Sequence, residues 1–562
     1  MFKKLPVILI VFAIVFISEN VYSQDNMTSH LYHTSQGDFL VAPNIIPYPN
    51  ASIHEMEIPV AVMGGNQNVM YGSWISEGNQ FYGTGYIFTS DGGTTWSGNY
   101  NNMNMGTNGG YPGPWIWPAG SPWAGRLGVS VLANNMNTVI AFYSTDNGVS
   151  WSTPATLGGS QAERNLSCVD DVSGSPFFGR AYTLWTDYSG NYANRIVGAY
   201  TSNGGVSWTG YAPVSPPPVA NHLCLGCDVC VGPGGVLYAV WADEIVNGSN
   251  YLEDSLGFAK STDGGVTWAV SKNNALPISG IFNRNFSSAQ IQVNSFPRIA
   301  VDKSGGARNG WIYVTLDEKF TAPALDSADI TLCRSTDGGN SWSHTKVNQD
   351  PAGSLQWMPS VCVSPNGTVA IDYYDNRGLT NPVSQIYMSM SNSGGNTWSD
   401  LLVSDHTFTL IRWYWQSGYY GDHIGITYSN GKFWPFWMDP SVGNHYQIWT
   451  AGVTPVGITQ NGNEIPNKFE LFQNYPNPFN PTTKIKFSVP SNVKSETSNV
   501  KLIIYDILGR EVATLVNERL QLGMYEVEWD GTNYSSGIYF YTLIAGDASI
   551  PLSIAKKMIL MK

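Results

Sequence analysis

Three tryptophans each stand two residues before an aspartate: Trp185-Thr-Asp187, Trp241-Ala-Asp243 and Trp437-Met-Asp439. Asp317 and Asp375 end comparable apolar stretches, and Glu77 aligns with them more loosely. Carboxylates beside indoles suit sugar recognition, because aromatic rings stack on pyranose faces and carboxylates accept hydrogen bonds from hydroxyls. The same acids could instead cap strand ends by accepting backbone N–H bonds, once per repeat. Arginines available to such a site are Arg126, Arg164, Arg298, Arg377 and Arg412, and Tyr373-Tyr374-Asp375-Asn376-Arg377 is the densest local cluster. His222-Leu223-Cys224-Leu225-Gly226-Cys227 has two readings. A C-x-x-C with a histidine nearby could bind zinc, but a second ligand pair at the usual spacing is missing. An exported chain favours a disulfide or two, with Cys224 and Cys227 as the candidates and the pairing left open. Cys168, Cys230 and Cys362 occupy one place in three apolar runs and read as small core residues. Neither metal nor cofactor is expected.

The elements that would position these residues are marked by a repeated phrase. TSDGGTTW (89–96), STDNGVSW (144–151), TSNGGVSW (201–208), STDGGVTW (261–268), STDGGNSW (335–342) and SNSGGNTW (391–398) end at Trp96, Trp151, Trp208, Trp268, Trp342 and Trp398. A recurrence at roughly 55–75 residues is the signature of an array or a propeller. Between the phrases lie short apolar strands and glycine-rich turns, such as FPRIAVD then GWIYVTLDEK (296–319) and PSVCVSP then GTVAIDYYDNR (359–377). Four strands per unit describe the blade of a β-propeller. In the phrase, the acid at Asp91, Asp146, Asp263 and Asp337 can accept N–H bonds from its own turn, and the glycines can take positive φ. Asn203 and Ser393 replace the acid in two copies, which an architectural role tolerates. Segment 412–453 adds three strands with no phrase after them, and GDFLVAPN (37–44) could supply the missing strand and close the ring. The expectation is seven blades over residues 24–455.

The phrases resemble the Asp-box (BNR) repeat of sialidase-like β-propellers. The resemblance implies an active site on the face opposite the boxes, where segments approach first strands and leave second ones, so that the acids would ring a tunnel mouth. Sialidases have six blades, which makes six the alternative count. The family holds its substrate's carboxylate with three arginines, and uses a Tyr–Glu pair as nucleophile and an Asp as acid/base. Carried over, Tyr373 or Tyr374 becomes the nucleophile candidate, with Asp375, Arg298 and Arg377 around it. Phe296-Pro297-Arg298-Ile299 contains the letters of the family's F-R-I-P signature in another order and in a middle repeat, and no glutamate stands near Tyr373.

Of 562 residues, 28 are Lys or Arg and 41 Asp or Glu, a net charge of −13. That balance speaks against nucleic acid as a partner, since nothing basic would neutralise phosphates. Lys3 and Lys4 precede an apolar run from Leu5 to Ile17, and Val21-Tyr22-Ser23 resembles a cleavage site. Residues 1–23 therefore read as a signal peptide, with an uncleaved anchor as the alternative, because the run is shorter than the about 20 residues a span needs. No stable transmembrane anchor is expected. After a linker (456–467) the grammar changes. NYPNPFNP (474–481), Tyr505-Asp506, Gly509, Trp529-Asp530-Gly531 and the lysine-bearing final strand resemble the C-terminal sorting domain of the type IX secretion system. That resemblance implies an immunoglobulin-like β-sandwich over 468–562 and a partnership with the secretion machinery; a carbohydrate-binding sandwich is the plainer reading. The whole then reads as a monomeric, secreted or cell-surface propeller that binds a glycan or glycoprotein ligand. The alternatives are an exo-α-sialidase-type glycoside hydrolase and a protein-binding scaffold.

Overall fold

A computed structural model describes residues 29–562 except 51, 79–80, 101–107, 134–137, 160, 249, 282, 287–290, 320–327, 352, 381, 412–420, 457–458, 461–467, 490–496, 522, 532–533 and 546–551. The expected signal peptide and Arg412 lie outside the described residues. The strand-forming and turn-forming vocabulary gives an all-β chain, interrupted by 3-10 turns at Gly190–Tyr192 and Pro233–Gly235. No helix among the described residues is long and apolar enough to cross a membrane.

Residues 30–456 make seven antiparallel sheets that follow one another along the chain, plus a small hairpin (Asn283–Phe286 with Ile291–Val293). Sheets one to seven have as first strands Val60–Val62, Asn108–Ile116, Ala162–Val169, His222–Val231, Arg298–Val301, Gln356–Val363 and Gly425–Ser429. Each first strand contacts the next, and that of sheet seven returns to that of sheet one, so the cycle closes. Second strands such as Ala181–Asp187, Ile312–Glu318 and Val369–Asp375 are buried at every residue, because neighbouring sheets cover both faces.

The six repeated phrases are turns between third and fourth strands. In the first, Asp91 Oδ1 accepts the amides of Thr94 (3.0 Å) and Thr95 (2.9 Å), while Oδ2 accepts the Thr95 hydroxyl at 2.6 Å. Asn203 Oδ1 accepts the Ser207 amide at 3.0 Å and Ser393 Oγ the Thr397 amide at 2.9 Å, so both substitutes preserve the turn. Each closing tryptophan packs back onto the preceding sheet: Trp208 against Trp115 (5.7 Å between ring centres), Trp342 against Phe258 (5.2 Å) and Trp96 against Trp434 (6.1 Å). Sheet seven carries no such phrase. Its outer part comes from the start of the chain, where Gly37–Val41 pairs with Val453–Val456 on one side and with His30–Thr34 on the other. The turn of that hairpin grips sheet six: Gln36 Nε2 donates to Thr397 Oγ1 (2.9 Å), and Gln36 Oε1 accepts the Asn392 amide (2.9 Å).

The C-terminal part has two four-stranded sheets, one built around Thr482–Val489 and Gly523–Asp530, the other around Thr497–Asp506 and Gly537–Ala545. Lys484 and Lys486 face out while Ile485 and Phe487 face in, the alternation of a sheet with one wet face. Both sheets contribute to one core containing Ile485, Phe487, Trp529, Tyr541, Leu543 and Met558. Thr459–Gln460, within the expected linker, pairs with Glu526 and Tyr525 and so extends a sheet of this part.

Candidate functional site

Proline inside a buried strand removes a ladder donor and is confined to edges and bulges. Four of the seven first-strand stretches carry one: Pro59, Pro112, Pro297 and Pro359. The ladders slip where the first strands begin, between Gly110 and Gly113, Glu163 and Leu166, Leu225 and Asp228, and Trp357 and Ser360. At the same level Glu57, Tyr111, Arg164, Gly226 and Met358 take left-handed backbone, with φ of 59°, 51°, 53°, 66° and 57°. Non-glycine residues rarely occupy this region, and bulges re-aim side chains beside functional sites. At Gly226 a Cβ would stand 2.2 Å from the Phe296 ring, so only glycine fits.

Three of these bulges, at Tyr111, Arg164 and Gly226, meet residues at the start of sheets five and seven around a cavity of about 20 Å³, lined also by Asn165, Leu166, Cys227, Phe296, Pro297, Arg298, Asp422 and His423. It shares Leu166 and Arg298 with a second cavity of about 160 Å³, to which the first-strand regions of all seven sheets contribute. Arg164 is 8% exposed, pairs with Asp422, and has its guanidinium over the rings of Phe296 (4.1 Å) and Tyr111 (5.3 Å). Arg298 Nε lies 3.5 Å from Asp228, whose carboxylate also accepts the Ile299 and Val229 amides. His423 Nδ1 is 3.0 Å from Asp422 Oδ1, and its Nε2 makes no hydrogen bond among the described residues. Burial, reinforced by Arg298 and Arg164, holds the His423 imidazole neutral, well below its usual pKa. Burial pushes the Glu57 carboxyl up against the opposing pull of Arg164. Both arginines are thus matched by carboxylates, leaving a pocket of donors and acceptors without excess positive charge.

Of the residues singled out in the sequence, Arg298 alone among the catalytic candidates lines this cavity. Tyr373 and Tyr374 are fully buried in separate cores on opposite faces of their strand. The Tyr373 hydroxyl bonds Ser389 (2.9 Å) and Arg377 (3.2 Å), and the Tyr374 hydroxyl donates to the Met438 carbonyl (2.7 Å). Arg377 is bound by Asp375 and Asp400, each at 2.7 Å, and lies over the Tyr387 ring. Arg126 donates to the Gly204 carbonyl (2.7 Å) in a repeated-phrase turn. The described arginines therefore do not assemble as a trio around a tyrosine.

The W-x-D residues need the same correction. Trp185, Trp241 and Trp437 are 0% exposed and belong to the cores between sheets, so none can stack on a ligand. Trp241 faces Gly257 across the ladder, where a Cβ would sit 2.0 Å from the indole. Asp187, Asp243, Asp317 and Asp439 are buried on second strands, one strand outward from the cavity. Asp439 binds His406 Nε2 (2.7 Å) and the Ser441 amide (2.7 Å), and Asp243 binds His222 (2.7 Å), so these two brace strand ends. Burial, with Glu253 nearby, raises the Asp317 carboxyl well above the usual range. Glu77 sits opposite His54 in sheet one. Cys224 and Cys227 are free thiols: the bulge between Leu225 and Asp228 turns Cys227 towards the Arg164 carbonyl and Cys224 towards Asp243 and Asn273. Glu57, Tyr111, Asn165, Phe296, Asp422 and His423 were not anticipated; the X-Pro steps at Pro59, Pro112 and Pro297 were the available signal for three of these positions.

Residues 473–560 match the family model of the secretion system C-terminal sorting domain. A domain of this kind routes a chain through type IX secretion to the cell surface or beyond and implies contact with that machinery. No curated protein matches the chain by sequence. Among solved structures, a protein of unknown function from Dyadobacter fermentans is similar at 11% identity and a TM-score of 0.41, covering 74% of this chain and 99% of its own. A Penicillium chrysogenum α-L-arabinanase complexed with arabinobiose is similar at 14% identity and 0.41, covering 62% and 98%. A Hadza microbial sialidase is similar at 13% and 0.37, covering 71% and 65%.

Proposed function

We propose that residues 30–456 form a seven-bladed, Asp-box β-propeller that is exported as a carbohydrate-binding or adhesive module, with the bulge-lined cavity as its ligand site. The observation that carries this reading is the convergence of three strand bulges, from sheets two, three and four, on one pocket that mixes aromatic rings, amide, imidazole and guanidinium groups. The pocket is small, about 20 Å³ beside a neighbouring cavity of about 160 Å³, well under the about 300–1,000 Å³ of ligand pockets, so the site takes no more than one terminal sugar unit. Because Arg164 and Arg298 are already matched by Asp422 and Asp228, an anionic sugar would find no free cation there. The ligand is therefore an uncharged glycan end. A glycan array probed with the purified full chain tests this: binding confined to neutral termini supports the reading, and binding that requires sialic acid overturns it.

One observation favours a hydrolytic second reading. Glu57, whose carboxyl burial pushes up, and Asp422, paired with Arg164, offer ligand atoms within 4.8 Å of each other. Two neighbouring carboxyls in unlike surroundings are the components of glycoside hydrolysis. Release of a fluorogenic aglycone by the full chain, abolished in Glu57→Gln, would establish that reading; absence of turnover with intact binding leaves the module non-catalytic.

A further inference from the structure

A second constellation lies on sheet four, spread over its first three strands. His222 and Cys224 are two residues apart on the first strand, so their side chains share a face. Cys224 is directly opposite Asp243 on the second strand, and Asp243 is opposite Ser255 on the third. The third-strand register then skips from Ser255 to Glu253, leaving Asp254 as the extra, bulged residue. That bulge turns Asp254 towards His222. The result is a group of three potential ligands from three strands, His222, Asp243 and Asp254, whose ligand atoms lie within 4.8 Å of one another, with Cys224 beside it against Asp243. His222 Nδ1 lies 2.7 Å from Asp243 Oδ2 and 3.9 Å from Asp254 Oδ1, and Cys224 Sγ lies 3.9 Å from Asp243 Oδ1.

These separations bracket what a metal requires. Ligand atoms about 2.0–2.3 Å from a tetrahedral ion stand about 3.3–3.8 Å from one another. Asp254 Oδ1 is sealed from solvent and has no hydrogen-bond partner, an arrangement that a plain His222–Asp243 pair does not explain. The His222 and Asp254 side chains retain 17% and 32% exposure, which gives an ion a route in. One thiol, one imidazole and two carboxylates form a mixed set. Calcium and magnesium demand oxygen-only shells, whereas zinc accepts sulfur, nitrogen and oxygen together.

We propose that His222, Asp243 and Asp254, with the Cys224 thiol swung in as fourth ligand, form a structural zinc site that ties three strands of sheet four together. It supersedes the sequence expectation of no metal, and it reuses His222 and Cys224 of the C-x-x-C segment without Cys227. The site is independent of the glycan reading, since none of its four residues lines the cavity.

The test uses the full chain without a histidine tag, stripped with a chelator and dialysed against micromolar zinc. Elemental analysis should return one zinc per chain in the wild type. His222→Ala and Asp254→Asn should weaken zinc binding by about 100-fold or more, beyond what loss of an outer-shell partner costs. Cobalt substitution should give a near-ultraviolet thiolate-to-metal band that vanishes in Cys224→Ser. Asp254→Asn changes one atom type at a partly exposed bulge, so it keeps the test alive if a buried variant fails to fold. A wild type that retains no zinc, equal zinc in His222→Ala, or a cobalt complex lacking the thiolate band would each overturn the proposal.

Discussion

Replacing Phe39 with alanine tests whether the two chain ends close one ring. Phe39 lies on Gly37–Val41, hydrogen-bonded on both sides, and its ring is 1% exposed in a core shared with Phe433, Trp434 and Val453. Deleting a fully buried phenylalanine ring costs about 3–5 kcal/mol, combining lost transfer energy with the cavity left behind. That is a large fraction of the about 5–15 kcal/mol that holds a domain folded. Leu31, on the neighbouring outermost strand, is 45% exposed, so Leu31→Ala should cost under about 1 kcal/mol. Urea unfolding followed by tryptophan fluorescence reads both, since most tryptophans sit between the sheets of residues 30–456. Phe39→Ala should lower the midpoint several times more than Leu31→Ala. Equal losses below about 1 kcal/mol would show that the N-terminal strands are an appendage, refuting closure.

Three further outcomes follow. Burial opposes charge on His406, but its hydrogen bonds to Asp405 and Asp439 outweigh that and raise its pKa from 6.5 to about 9. The contribution, about 3 kcal/mol, is complete below pH 6.5 and lost as pH rises through 9, so the difference in unfolding free energy between wild type and His406→Gln should shrink over that window. Gly226→Ala, which drives a Cβ into the Phe296 ring at positive φ, should lower the melting temperature more than Gly234→Ala, where φ is also positive but nothing stands within 4 Å. A chain lacking residues 473–562, expressed in a host with type IX secretion, should stay in the periplasm on immunoblotting while the full chain reaches the surface or medium.

The all-β class and the sorting tail were legible because each rests on local spelling: glycine turns between short apolar runs, and the Asn-Pro, Tyr-Asp and Trp-Asp-Gly marks after residue 473. The phrase turns were legible for the same reason, since Asp91 needs only Thr94 and Thr95 to do its work. The cavity was less so. Trp241 and Asp243 share a strand face, and from the sequence that face could be wet or dry; neighbouring sheets cover both faces of the second strands, so the pair that looked like a sugar platform is interior. The arginines failed as a set because their reach is decided by the third dimension: Arg126 ends on the Gly204 carbonyl, Arg377 between two aspartates and Arg164 at the centre. Cys224 and Cys227, the disulfide candidates, are free thiols, and the bulge at Gly226 between them was not legible in the C-x-x-C spelling.

Isothermal titration of the strongest-binding neutral oligosaccharide into the full chain is the most direct measure of the central claim. His423→Phe, which fills the cavity beside Asp422, and Arg298→Ala, which removes a lining donor, should each weaken binding at least about tenfold, a loss of about 1.4 kcal/mol, in protein that still unfolds cooperatively, although Arg298→Ala also leaves Asp228 unpaired and lowers the melting temperature. Wild-type affinity in both variants would place the ligand elsewhere and contradict the assignment of the bulge-lined cavity.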